Sequence, residues 1–168
     1  PSHDGLAARL AAWHGSPGGL DLELQPVRWA LRLVDHEDTR SLTALCAVRD
    51  SDGRWLAGRR ADWLATWSGR WALGAGGAVE VGENPAETLT RELHEEWQLV
   101  PESLQVAALV TMPSGLAALI GLAVVPAGAR AVPDAEHDDL AWWPPDPDAW
   151  PAEADERLRT LARYLAAG

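Results

Sequence analysis

Glu92, Glu95 and Glu96 stand at relative positions i, i+3 and i+4. On a helix, which turns about 100° per residue, these three side chains share one face. Carboxylates held that closely repel one another, and a helix gains nothing from them unaided. A hard divalent cation reverses the sign of the interaction, because carboxylate oxygens are the ligands Mg²⁺ takes. The spacing therefore points to a metal site on one helix. The glycine-rich stretch Gly74-Ala75-Gly76-Gly77 lies just upstream, and its backbone can approach a ligand closely. Glu95 and Glu96 are the leading ligand candidates. Glu92, one turn earlier, either ligates or serves as base toward an attacking water. Arg91 offers a planar fork that can pair with a carboxylate and hold it in place. The plainer alternative for the whole group is a solvated acidic face.

The wider spacing sharpens the case. Gly77 is followed by five residues and then Glu83; seven residues later come Arg91-Glu92-Leu93, one further residue, and Glu95-Glu96. This pattern resembles the signature of the Nudix (MutT-like) hydrolases: Gly, five residues, Glu, seven residues, Arg-Glu, an aliphatic residue, any residue, Glu-Glu, any residue, Gly, aliphatic. Every fixed position matches through Glu96, and Leu99 supplies the final aliphatic residue. Gln98 departs from it, standing where the family has glycine. A left-handed helix cap is the usual reason for such a glycine, and another residue costs about 1 kcal/mol in that conformation. Altered local geometry rather than lost catalysis is the expected consequence. Ala75 also stands where the family often has proline.

The resemblance implies an α/β protein of the Nudix fold, a mixed β-sheet sandwiched between α-helices. It implies an Mg²⁺-dependent hydrolase (Mn²⁺ is the alternative ion) that cleaves the diphosphate linkage in a nucleoside diphosphate derivative. It places Glu83, Glu92, Glu95 and Glu96 at the family's metal-site positions, with the backbone carbonyl of Gly76 beside them, and gives Arg91 the role of orienting the glutamates. It further implies an acidic residue in a loop ahead of a late tryptophan, as extra ligand or general base. Glu136 is the first choice here and Asp139 the second, both upstream of Trp142. A homodimer is common in the family. Two other activities share the fold: a ligand-sensing domain without turnover, and an isopentenyl-diphosphate-isomerase-like enzyme. The isomerase chemistry needs a cysteine in its own motif, and the single cysteine, Cys46, lacks those surroundings.

Other residues are candidates for substrate contact. Arg59, Arg60 and Arg70 stand shortly before the glycine stretch and could reach phosphate, although a solvated strand end is the plainer role. Ten tryptophans and no phenylalanine invite base stacking, with Trp63, Trp67, Trp142 and Trp143 as candidates; most will simply fill the core. His137, between Glu136 and Asp138, reads as incidental, as does His94.

The gross composition bounds these readings. A chain of 168 residues with 47% apolar content suits one domain with a real core. A net charge of −11 argues against a nucleic-acid polymer as partner, since phosphate backbones need basic faces. A small phosphorylated substrate is still admitted, because a cation can bridge acid to phosphate. All fourteen basic residues are arginine, so direct phosphate contacts must come from arginine or backbone N–H. No run of 18 apolar residues marks a membrane span. The start, Pro1-Ser2-His3-Asp4, lacks the marks of a secretion signal, and a cytoplasmic home is the default expectation.

The elements that must position these groups follow from pattern. One domain is expected over 1–168, with an N-terminal helix/strand extension over 1–40 and a closing helix over 152–166. Within the extension, Leu6 to Trp13 reads as a short helix ended by Gly15-Ser16-Pro17-Gly18-Gly19, and Leu22 to Leu33 as holding a strand through Val27, Trp29, Leu31 and Leu33. Ser41 to Arg49 reads as a buried strand, Asp50-Ser51-Asp52-Gly53 as a hairpin turn, and Arg54 to Arg59 as the return. Asn84 is an N-cap and Pro85 the first residue of the signature helix. Leu89, Leu93 and Trp97 should face the core, with the glutamates on the adjacent exposed side. Strands are expected at Gln105–Thr111 and Ala117–Val125, joined by Pro113-Ser114-Gly115. A polar loop over Val132–Asp139 and a proline-rich connector over Pro144–Pro151 complete the chain.

Overall fold

Along Leu42–Asp50 the side chains alternate between two apolar layers, and that alternation builds the molecule. In the computed structural model, which describes residues 5–28, 30, 41–111 and 116–167, this segment is a central strand. Leu42, Ala44, Cys46 and Val48 point into one core cluster, while Leu45 and Ala47 face the other. A strand buried on both faces reads as an apolar run, as this one does from Ala44 to Val48.

The elements in chain order are β1 (Leu6–Ser16), β2 (Gly19–Arg28), β3 (Leu42–Asp50), β4 (Trp55–Arg60), β5 (Trp71–Leu73), β6 (Ala75–Ala78), α1 (Pro85–Trp97), β7 (Ser103–Thr111), β8 (Ala117–Val125), β9 (His137–Trp143), a 3₁₀ turn (Pro147–Ala149) and α2 (Glu156–Ala167). Among the described residues, a seven-stranded sheet runs β5-β4-β3-β8-β7, with β6 joined to β3 and β9 to β4. β3 and β8 are parallel and the other pairs antiparallel, so the sheet is mixed. α1 packs Leu89, Leu93 and Trp97, all fully buried, on the layer that holds Leu42 and Cys46. Each buried leucine contributes about 1.5–3 kcal/mol. α2 covers the other layer through Ala162 and Leu165, beside Trp55, Trp143 and Trp150. The expected sheet between helices is the fold observed. No helix is long and apolar enough to cross a membrane among the described residues.

Three expectations about elements are corrected. Leu6–Trp13 is the first strand of a hairpin, not a helix: β1 pairs β2 from Leu6↔Arg28 to Ser16↔Gly19. The alanines favour a helix in isolation, but Gly18 takes φ 86 at the turn and the segment also pairs outward. Ala8 N–H donates to Val79 O at 3.0 Å, tying β1 to the stretch before α1. Tertiary pairing overrides a weak local preference. Trp29, Leu31, Leu33 and Pro113-Ser114-Gly115 lie outside the described residues. The polar loop ends earlier than expected, at His137, because β9 pairs β4 through Arg60↔His137. The closing helix begins at Glu156 rather than 152, where Asp155 Oδ1 accepts from the N–H groups of Arg157 and Leu158.

The β3–β4 hairpin turns where expected. Gly53 N–H donates to Asp50 O at 2.8 Å, and the buried Asp50 carboxylate accepts from the backbone N–H and Nε of Arg54, each at 2.8 Å. α1 starts as expected too: Asn84 Oδ1 accepts from Ala86 N–H, with Pro85 behind it. Gln98 closes the helix in the left-handed region (φ 54, ψ 30), its N–H donating to His94 O. The αL cap is thus kept without glycine.

Candidate active site

α1 projects Arg91 into the middle of the acidic residues. Its Nε and Nη2 donate to the two oxygens of Glu83 at 2.8 and 3.1 Å. Nη1 donates to Glu92 Oε1 at 2.7 Å and to Glu95 Oε2 at 3.1 Å. Nη2 also reaches Ala78 O, at the end of β6. One guanidinium therefore binds three glutamates and the glycine strand together. Glu83 is further held by the Thr88 hydroxyl at 2.7 Å.

Glu92 and Glu96 are buried rather than exposed, which corrects the expected placement; only Glu95 of the three is open to solvent. The cause is β6, laid along α1 by its pairing with β3 (Leu45↔Gly76, Ala44↔Gly77). Glu96 Oε1 accepts from Gly76 N–H at 3.2 Å. The Glu92 carboxylate fills the space where Gly77 would carry a side chain, and a Cβ there would collide with it.

The electrostatics separate the glutamates. Arg91 holds the Glu83 carboxyl below its ordinary range. Burial pushes Glu92 up, opposed by the Arg91 charge. Glu96 is pushed up to about 8, chiefly by burial, with the Gly76 hydrogen bond opposing and the charges of Glu92, Asp134 and Glu136 adding. Glu96 thus lacks the cationic partner that the other three share.

A cleft of about 510 Å³ opens over this face, with Glu92, Glu95, Glu96, Glu136, Asp134 and Arg60 on its walls. Gly76 and Gly77 floor it, and Thr43 and Thr66 also reach it. A second hollow of about 530 Å³ lies beside it, bounded by Leu6 and Ala7 of β1 together with Arg91 and Glu92. Glu83, Glu92 and Glu95 converge on Arg91, while Glu96 stands apart from it on the glycine strand. Among the described residues, no three acidic, imidazole or thiol groups are gathered as a ready-made metal cage.

The candidates for substrate contact divide. Arg60 lines the cleft and its Nη2 meets Glu136 Oε2 at 3.3 Å, while its Nε–H is buried with no hydrogen-bond partner among the described residues. Arg59 is occupied by Asp138 and Asp62, and Arg70 stacks 5.5 Å over the Trp67 ring; neither lines the cleft. Trp142 sits on β9 opposite Leu56 and packs against the apolar core, away from the cleft walls. Trp143 is buried against Trp71 and Trp150, whereas Trp63 and Trp67 are exposed. Of the two late acids, Glu136 faces the cleft and Asp139 does not. Cys46 is fully buried, its thiol pushed up to about 12 by burial, and it takes no part in the cleft. The isomerase-like alternative thereby loses its cysteine.

Sequence reasoning did not single out Asp134 and read His137 as incidental. Asp134 N–H donates to Glu96 O at 2.9 Å, so the loop before β9 is stitched to the end of α1. His137 is buried, its ring centroid 4.4 Å from that of Trp97 and tilted 41° to it. The available signal was small: an acidic residue three positions before a histidine.

The fold and this site together define a sheet-between-helices domain whose glycine strand and glutamate helix enclose one acidic cleft. The NUDIX domain model matches residues 39–165, and the chain belongs to that family. Among curated relatives, Nucleoside triphosphatase NudI of Escherichia coli O1:K1 / APEC is 42% identical over 57 residues, which is 34% of this chain and 40% of that protein's length. Two solved structures are similar in fold. The MutT protein from Methanosarcina mazei Go1 has a TM-score of 0.60 at 22% identity, covering 76% of this chain and 94% of that one. The NUDIX domain of Shewanella oneidensis NrtR complexed with ADP ribose has a TM-score of 0.61 at 18% identity, covering 84% and 98%.

Proposed function

We propose that this chain is an Mg²⁺-dependent hydrolase of the diphosphate linkage in a nucleoside diphosphate derivative. The observation that carries the reading is the buried Glu96 carboxylate, set on the glycine strand beside Glu92 with Arg91 committed elsewhere. Hard oxygen donors, one of them free of any cationic side-chain partner, suit Mg²⁺. Glu92, Glu95 and Glu96 would hold the ion, with Glu83 and Gly76 alongside. When bound, Mg²⁺ supplies charge neutralisation of the diphosphate and a lower pKa for the attacking water.

The chain's own residues do the rest. Arg91 keeps Glu92 and Glu95 turned toward the cleft. Glu92 or Glu136 accepts the proton of the attacking water, Glu136 being steadied by Arg60. Arg60, on the cleft wall, meets phosphate oxygens. A phosphorylated substrate in the cleft, a cytoplasmic location and a homodimer complete the reading.

The test is hydrolysis of a panel of nucleoside triphosphates, sugar nucleotides and dinucleotides, with product identification. Cleavage at a phosphoanhydride that stops in EDTA and returns with Mg²⁺ is the expected result. Activity surviving full metal removal, or no turnover of any diphosphate, overturns the proposal.

A further inference from the structure

We infer that Asp134 and His137 form a positioning pair that holds the Glu96 carboxylate in its working orientation, an inference that rests on the metal-site reading above. Glu96 itself has few restraints. Its Oε1 accepts one hydrogen bond, from Gly76 N–H at 3.2 Å, and its Oε2 faces His137 Nε2 at 3.8 Å. A carboxylate with one hydrogen bond can swing about its terminal torsion, which is broad. The imidazole is the group placed to limit that swing.

The imidazole cannot easily move. Its side chain is 1% exposed. Nδ1 lies 3.0 Å from Asp134 Oδ1. A carboxylate only accepts, so Nδ1 carries the hydrogen; Nε2, 3.8 Å from Glu96 Oε2, makes no hydrogen bond to it and bounds its swing by bulk alone. One ring face lies against Trp97, which is anchored by its own Nε1–H to Gly74 O at 2.9 Å. On another side stands Gly58: a Cβ there would come within 2.7 Å of His137 Cδ2 and 2.6 Å of Trp97 Cη2. The bare α-carbon is what lets the two rings sit side by side.

Asp134 is the joint of the assembly. Its Oδ1 accepts from both His137 Nδ1 and Glu136 N–H, the latter at 2.9 Å. Its own N–H donates to Glu96 O. Glu96 is therefore gripped at its backbone by Asp134 and bounded at its carboxylate by the histidine that Asp134 orients. Groups that orient metal-binding side chains in this way affect metal affinity by about 10–100-fold when removed.

The experiment uses Mn²⁺ alone as probe, titrated into the full chain and followed by electron paramagnetic resonance, with melting temperature as the check on folding. His137→Asn retains a donor near Nδ1 and removes the Nε2 end. Mn²⁺ affinity is expected to fall about tenfold or more. Asp134→Asn, which keeps an acceptor oxygen, should hold affinity within about threefold of the native value; Asp134→Ala should fall as far as His137→Asn and carries the test if the histidine variant does not fold. The decisive comparison places His137→Asn on a Glu96→Gln background, where it should lower affinity no further, since the two act as one unit. Equal losses in both backgrounds, or unchanged affinity in folded His137→Asn and Asp134→Ala, overturn the positioning role while leaving the hydrolase reading intact. No Mn²⁺ binding by the native chain overturns both.

Discussion

The α-carbon of Gly77 faces the carboxylate of Glu92 so closely that no side chain fits between them. Strand β6 and helix α1 meet through this bare position, and the depth at which Glu92 is buried depends on it. Gly77→Ala should therefore push the Glu92 carboxylate outward and away from Arg91. Turnover should fall by about a hundredfold, with stability lowered by about 1–3 kcal/mol through overpacking. Steady-state kinetics with a denaturant melt check this. Near-native activity would show that Glu92 need not lie where it does.

Arg91 binds three glutamates through a fork that a lysine cannot reproduce. Arg91→Lys keeps the charge and loses the simultaneous contacts, so Glu92 and Glu95 should drift. The expected outcome is a drop of roughly tenfold or more in kcat/KM, about 1.4 kcal/mol per tenfold, with Mg²⁺ needed at higher concentration. A lysine variant with native metal dependence would reduce Arg91 to a surface ion pair.

Glu96 makes a pH prediction. Its folded pKa, about 8, lies above the ordinary 4.5. A group raised on folding contributes stability that is full below about pH 4.5 and lost as pH climbs to about 8. Glu96→Gln cannot ionise and escapes that loss. In EDTA the variant should melt above the native protein at pH 8, by several degrees, with the gap closing toward pH 5. The same variant should be inactive with Mg²⁺. A gap that does not change with pH would show that Glu96 titrates normally.

Gln98 occupies the left-handed region at the end of α1. Gln98→Gly relieves that conformation, and the net gain, after the greater freedom of the unfolded chain, should be up to about 1 kcal/mol. Activity should be unchanged, because the position lies past the carboxylates and its N–H still caps His94. A folded variant without activity would mean that Gln98 does more than close the helix.

The signature helix was legible residue by residue: Asn84 caps it, Pro85 starts it, and Leu89, Leu93 and Trp97 are buried. Those features arise within one or two turns of chain, where spacing alone decides which side chains are neighbours. β3, its turn at Asp50–Gly53 and strand β8 were legible for the same reason, since alternation and turn chemistry are local. Leu6–Ser16 was not, because its strand character depends on partners at Gly19–Arg28 and Val79.

What only the tertiary structure decided is the environment of the acids. Sequence placed Glu92, Glu95 and Glu96 on one face but could not show that β6 buries two of them. Nor could it show that one arginine would hold Glu83 beside them, or that Asp134 and His137 would arrive from beyond β8 to stand behind Glu96. Burial and long-range approach depend on which strands pair, and the spacing of residues along a chain carries no record of what the fold brings across to meet them.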